Sequence, residues 1–149
     1  MLEINKNTYV SIDEANSYIS SHYLSSDELR LKWEETSEED KEILLINACE
    51  NIETLKFIGR KYNKNQELSF PRNFDSAVPF MVKKAQVEET ISFFKKTDAL
   101  DAYKEGLKAE SIDDVSKTYN TELLNSRKLR STKAQELLRG WLYGSFKVF

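Results

Sequence analysis

With 149 residues, the chain is long enough for one domain and too short for two of ordinary size. Hydrophobic residues make up 40% of it and charged residues 32%, which suffices for one modest core and a charged surface. Only four glycines and two prolines are present. Because all-β folds use many turn residues, this scarcity excludes most of them and favours helices.

The net charge of −3 is distributed unevenly along the chain. From residue 1 to residue 60, thirteen acidic residues stand against six basic ones, whereas residues 126–149 carry six basic residues and one acidic residue. Such polarity suits a protein that stacks head-to-tail or presents a basic end to an acidic partner.

Three helices are predicted in the first third of the chain. After the β-prone segment 8–10, Ser11 and Glu14 have the spacing of a capping box that opens a helix running to about His22. A second short helix is predicted over 27–33. A third opens at Ser37 and ends near Gly59, with a core stripe formed by Ile43, Leu45, Ile46, Cys49, Ile52 and Leu55.

A polar, irregular stretch over 60–76 separates these helices from the rest of the chain. Pro79 is suited to the first position of a fourth helix, because its missing N–H is not needed there. This helix should run to about Lys95 and turn inward Phe80, Ala85, Val87, Ile91 and Phe94.

The last third predicts one further helix over 131–143, with Gly144 as its stop. Residues 104–120 lack helical periodicity, so we expect an extended arm or hairpin there that is mobile in the isolated subunit. The predicted fold class is therefore mainly α, a small bundle of about five helices in a single domain spanning 1–149.

Residues that could support catalysis are scarce. His22 is the only histidine and Cys49 the only cysteine, so the sequence cannot supply the ligands of a structural zinc site. A catalytic triad could be built only around His22, and a solvated or capping role is expected for that residue instead. Acidic pairs such as Glu88-Glu89 are interpreted as solvated surface. We expect no enzyme activity, no cofactor, no metal, no membrane segment and no signal peptide.

Several local patterns occur in a familiar order. They are Thr8-Tyr9-Val10-Ser11-Ile12-Asp13-Glu14-Ala15, Phe57-Ile58-Gly59-Arg60-Lys61, Gln66-Glu67-Leu68-Ser69-Phe70-Pro71-Arg72, Val78-Pro79, Val82-Lys83-Lys84-Ala85-Gln86-Val87-Glu88 and the segment ending in Val115-Ser116-Lys117-Thr118-Tyr119. From about residue 8 to residue 144 the chain resembles the head-tail connector (adaptor) proteins of tailed phages and prophages, some of which carry the label "DnaT-like single-stranded DNA-binding protein". Phe70 replaces a common Trp, and Lys117 interrupts the usual alternation.

The resemblance implies a structural protein of the virion. Such connectors form rings, commonly dodecamers, under the portal protein, and they dock the next head-completion or tail protein. Double-stranded DNA passes through the ring without sequence-specific binding. The expected location is the head-tail junction of the virion, and the host cytoplasm during assembly. The alternative function is a DnaT-like replication accessory protein that binds single-stranded DNA, against which the acidic overall balance counts.

Residues 127–149 combine a positive charge with an amphipathic helix and aromatic residues beyond it. We predict that they bind the portal or a neighbouring subunit, through Arg127, Lys128, Arg130, Lys133, Phe146 and Phe149. Contact with nucleic acid is the alternative role for the same residues. Arg60 and Arg72 are interpreted as residues that hold the irregular loop onto the core by pairing with local acids or backbone carbonyls, with contact to a partner as the alternative.

Overall fold

The computed structural model describes residues 1–95 and 128–143, and this part of the chain is mainly helical, as predicted. It contains α1 (Ile12–His22), α2 (Glu28–Glu35), α3 (Glu38–Glu53), α4 (Phe80–Ser92), α5 (Thr132–Leu137) and a 3₁₀ turn (Arg139–Trp141). Within these residues backbone bridges occur only as isolated pairs. The predicted arm over 104–120 lies outside the described residues.

Side-chain caps explain where four of the helices begin. The Ser11 hydroxyl accepts a hydrogen bond from the Glu14 backbone N–H while the Glu14 carboxylate accepts one from the Ser11 N–H, which confirms the capping box. Asp27, Ser37 and Ser131 cap α2, α3 and α5, because their side-chain oxygens accept hydrogen bonds from backbone N–H groups in the first turn.

Helix α4 is the centre of the fold, and it packs against α1, α2, α3 and α5. Every residue from 85 to 92 is buried. One side of α4 contributes Val82 and Ala85 to a core cluster shared with α3, α5 and the segment between α3 and α4. The other side contributes Val87 and Ile91 to a second cluster shared with α1, α2 and α3. A helix enclosed in this way organises the whole described unit.

Two residues predicted to face the core do not. Ile43 is 50% exposed and Phe80 is 68% exposed. Each precedes a fully buried residue, Leu45 or Val82, by two positions. Two positions along an α-helix correspond to a rotation of about 200°, so a residue there points away from the buried face. The Cys49 and Ile52 assignments on the same stripe are confirmed.

Three predicted helix ends were also wrong. Helix α3 ends at Glu53 instead of near Gly59. The backbone that follows pairs with the C-terminal segment instead of continuing the helix, because the Ile58 N–H donates to the Trp141 carbonyl at 2.7 Å. Helix α4 ends at Ser92 instead of Lys95. The last helix ends at Leu137, where the chain tightens into the 3₁₀ turn before residue 143.

The Glu88-Glu89 pair is buried, which corrects its interpretation as solvated surface. Glu88 is 4% exposed and accepts hydrogen bonds from the hydroxyls of Tyr18 and Tyr23. Burial, reinforced by the nearby carboxylate, raises the pKa of both tyrosines. Glu89 is fully buried, and its carboxylate accepts from the Ser131 N–H at 2.8 Å. The two carboxylates therefore join α4 to its neighbours.

Among the described residues, no helix combines the length and the apolar character needed to cross a membrane.

Candidate nucleic-acid interface

The connection between α3 and α4 carries the densest group of exposed cations in the described residues. We call residues 56–75 the basic loop, because five basic side chains stand there against Glu67 and Asp75. Four of the five basic residues are exposed, namely Lys56, Arg60, Lys61 and Lys64. The loop is thus a positively charged segment on a protein whose net charge is negative.

Backbone pairing folds the basic loop back on itself. The Asn73 N–H donates to the Arg60 carbonyl at 2.7 Å, and the Tyr62 N–H donates to the Pro71 carbonyl at 3.0 Å. The Asn73 side chain also accepts from the Arg60 N–H at 3.2 Å. The loop therefore has a defined path despite containing no regular strand.

Arg72 fixes this path from inside. It is 7% exposed, and its guanidinium donates to the carbonyls of Gly59 at 2.9 Å, Ser69 at 3.1 Å and Ile58 at 3.2 Å. A longer contact reaches a fourth carbonyl, that of Phe57, at 3.4 Å. The planar fork of arginine suits several acceptors at once. The interpretation that Arg72 holds the loop onto the core is correct, whereas the Arg60 side chain is exposed.

An aromatic cluster lies beneath the guanidinium. Phe70 packs edge-on against the rings of Tyr9, Phe57 and Trp141, with centroid distances of 6.1, 4.7 and 5.4 Å. The Tyr9 hydroxyl donates to the Glu53 carboxylate at 2.6 Å, and burial followed by this carboxylate raises the pKa of Tyr9. Edge-to-face pairs add roughly 0.5–1.5 kcal/mol each beyond their burial. The loop is therefore anchored at its second half.

The outer surface of the basic loop combines cations with exposed aromatic rings. Tyr62 is 53% exposed and lies between Lys61 and Lys64 in the sequence. Phe74 is 98% exposed and directly follows Asn73, whose backbone N–H donates to the Arg60 carbonyl. Cations bind phosphates, and exposed rings stack on unpaired bases. The combination of cations and exposed rings is therefore chemically suited to binding a nucleic-acid strand.

Of the six C-terminal residues predicted to bind a partner, the structure describes three, Lys128, Arg130 and Lys133, and these do not form one exposed group. Lys128 is exposed, but the Arg130 guanidinium lies over the Phe93 ring at 5.3 Å, and the Lys133 ammonium is 3.3 Å from the Glu88 carboxylate. Arg127, Phe146 and Phe149 lie outside the described residues. Intramolecular contacts thus engage two of the three predicted cations that the structure describes.

The sequence analysis did not single out the basic loop as a candidate binding surface. The signal was present in Arg60-Lys61-Tyr62-Asn63-Lys64, where three cations surround an aromatic residue. The Phe70-Pro71-Arg72 motif drew attention instead, and the structure places that motif inside the loop, where it maintains the path of the chain.

Neither the histidine nor the cysteine belongs to a reactive site in the described residues. The exposed His22 ring stacks on Tyr18 at 3.9 Å. Burial, followed by nearby carboxylates, raises the pKa of the Cys49 thiol to about 12, which suppresses the reactive thiolate. Residues 1–95 and 128–143 contain no group of three metal-ligating side chains.

Comparison with known proteins identifies the family of this chain. The model of the family described as "Putative DnaT-like ssDNA binding protein" matches residues 2–149. The chain belongs to this family. No curated protein and no solved structure matches it. The DnaT-like family match covers the basic loop together with the five helices of residues 1–95 and 128–143.

Proposed function

We propose that this protein binds single-stranded DNA through the basic loop and catalyses no reaction. The observation that carries the proposal is the exposure of Tyr62 and Phe74 on a loop that also presents Arg60, Lys61 and Lys64. The description of the DnaT-like family supports the same function. Stacking on such rings contributes roughly 1–3 kcal/mol per base, largely independently of sequence.

The negative net charge does not prevent this mode of binding. Surface charges farther apart than about 8 Å are largely screened at physiological ionic strength, so a strand on the loop responds mainly to nearby cations. Few phosphate contacts are available, so the affinity should be modest and should fall with salt on a shallow slope. Aromatic stacking would then supply a large share of the binding energy.

Titration of a fluorescein-labelled 30-nucleotide oligo-dT, followed by fluorescence anisotropy, tests the proposal. The variant Tyr62→Ala/Phe74→Ala should bind at least about 10-fold more weakly, because it removes two stacking platforms. The variant Arg60→Ser/Lys64→Ser should weaken binding and also reduce the salt slope by about one to two, because two phosphate contacts are lost.

Matched controls separate the loop from general charge and hydrophobicity. Lys6→Ser/Lys95→Ser removes two cations that are equally exposed but lie elsewhere, and it should leave the affinity within 2-fold. The variant Arg127→Ser/Lys128→Ser/Arg130→Ser tests the C-terminal basic stretch. If that variant abolished binding while both loop variants bound normally, the loop would not be the binding site.

A structural role as a phage head-tail connector is the second candidate function. The observation in its favour is the order of motifs from residue 8 to residue 144, which resembles that of connectors. In this role the protein would form a ring under the portal, contact a head-completion or tail protein, and surround double-stranded DNA. Exposed apolar residues of the described region could then contact other subunits, as in Leu24, Leu31, Ile43, Phe74 and Phe80.

Several residues of the motifs that carry this resemblance are internal. Tyr9, Phe70, Arg72 and Gln86 are all less than 9% exposed, and they hold the core and the loop together. Residues of this kind indicate a shared fold more directly than a shared partner. Direct assays of partners must therefore decide between the two functions.

Co-sedimentation with purified portal rings tests the connector function. The wild-type protein should pellet with the portal and appear as added density below the ring in negative-stain electron microscopy. The variant Arg127→Ser/Lys128→Ser/Arg130→Ser with Phe146→Ala/Phe149→Ala should remain folded by circular dichroism yet fail to pellet. Absence of wild-type binding to the portal, together with tight binding of oligo-dT, would exclude the connector function in favour of DNA binding.

A further inference from the structure

A groove of about 400 Å³ runs between α1 and the first half of α4. Its size falls within the roughly 300–1,000 Å³ that is typical of sites for small organic groups. Val10 and Val87 contribute apolar surface, and Tyr18 and Phe80 contribute aromatic surface. None of these residues belongs to the basic loop, although α4 begins only a few residues after the loop ends.

Phe80 lines the groove with an exposed aromatic ring. Its side chain is 68% exposed although it begins the most enclosed helix of the fold. The Lys84 ammonium lies over its ring, 5.1 Å from the centroid. A cation and an aromatic ring held one helical turn apart can serve a phosphate and a base of the same nucleotide.

The charges around the groove single out one lysine. Lys83 forms an ion pair with Glu14 at 3.0 Å, which largely satisfies both groups. Lys84 has no carboxylate within ion-pair distance among the described residues, and its ammonium contacts the Phe80 ring, so one side of it can still bind an anion. The groove therefore has an apolar, aromatic interior, and its rim carries Asp13, the Glu14–Lys83 ion pair and Lys84.

We infer that this groove is a second subsite for single-stranded DNA, in which one base stacks on Phe80 and the adjoining phosphate binds Lys84. The inference rests on the proposed function and extends the DNA path from the basic loop to the start of α4. The occupant is an unpaired nucleotide, because a duplex keeps its bases stacked and could present only phosphates to the groove. The hydroxyls of Ser17 and Ser21 also line the groove. The Ser17 hydroxyl can donate to or accept from a base edge, whereas the Ser21 hydroxyl, which donates to the Ser17 carbonyl at 2.8 Å, can accept.

Substitution of the exposed ring provides the test. Phe80→Ala should weaken binding of the labelled 30-nucleotide oligo-dT by roughly 5- to 100-fold, the range for loss of one stacked base. Phe80→Trp should bind at least as tightly as wild type, and its added indole fluorescence should be quenched when oligo-dT is bound. Leu24→Ala is the matched control, because Leu24 is 77% exposed and lies outside the groove. It should leave the affinity unchanged.

Each outcome separates the subsite from the proposed function. If Phe80→Ala binds oligo-dT like wild type while Tyr62→Ala/Phe74→Ala binds weakly, the groove inference is overturned and the loop function stands. If Phe80→Ala lowers self-association in sedimentation velocity without changing DNA affinity, the groove is a contact between protein subunits and the inference is again overturned. If wild type shows no oligo-dT binding at low salt, both proposals fall.

Discussion

Replacement of Arg72 by alanine should destabilise the protein by about 2–4 kcal/mol. The guanidinium makes three hydrogen bonds of 2.9–3.2 Å to loop carbonyls, each with a net value near 1 kcal/mol, and it also packs over the Phe57 and Phe70 rings at 5.7 and 6.0 Å. Gly59 is exposed, so water can replace the arginine at its carbonyl. Because water can hydrogen-bond to that carbonyl in the variant, the expected loss of stability is smaller than the cost of leaving all three carbonyls without a donor.

Urea unfolding monitored by circular dichroism measures this loss. Arg72→Lys should recover less than half of it, because an ammonium keeps the charge but cannot donate in the planar fork that reaches several carbonyls. Lys64→Ala, at an exposed position of the same loop, should change the free energy of unfolding by less than about 0.5 kcal/mol. A loss below about 1 kcal/mol for Arg72→Ala would refute the conclusion that this side chain fixes the loop.

Three further changes should have measurable effects. Ile52→Ala, at a fully buried position, should cost about 2–5 kcal/mol in chemical denaturation, and a loss under about 0.5 kcal/mol would contradict its place in the core. Gly59→Ala should destabilise by about 1–2 kcal/mol, because φ is +86° and the added Cβ would lie 1.9 Å from Asn73 Oδ1; Gly140→Ala meets nothing within 4 Å and should be nearly neutral. Burial raises the pKa of the Cys49 thiol from 9.0 to about 12, so the unfolded chain loses this proton at a lower pH than the folded protein does. The contribution of Cys49 to stability is therefore complete below pH 9 and is lost as the pH rises from 9 to 12. In urea titrations, a Cys49→Ala variant should lose less stability than wild type over that interval.

The parts of the fold that could be predicted from the sequence are those determined by neighbours in the chain. The capping box at Ser11 and the start of α3 after Ser37 depend on residues three positions apart, so a local pattern contains all the information required. The buried positions of Cys49 and Ile52 follow in the same way from helical periodicity.

The errors concern features determined by distant residues. Glu88 and Glu89 resemble surface carboxylates in the sequence, and only their partners Tyr18, Tyr23 and Ser131, at least 40 residues away, explain why they are buried. The basic loop was not singled out for a similar reason. Its path depends on the buried Arg72, which bonds to loop carbonyls, and no local pattern reveals that burial.

The Glu89 carboxylate on α4 holds the backbone just before α5. The Arg130 guanidinium stacks on Phe93, and the Glu89 carboxylate binds the N–H groups of Arg130 and Ser131, so the chain leaves α4 and returns to it at nearly the same place. These contacts tie the start of α5 to the end of α4 within the described residues. Removal of the Glu89 carboxylate would therefore leave two backbone N–H groups without their acceptor at once, at the point where α5 begins.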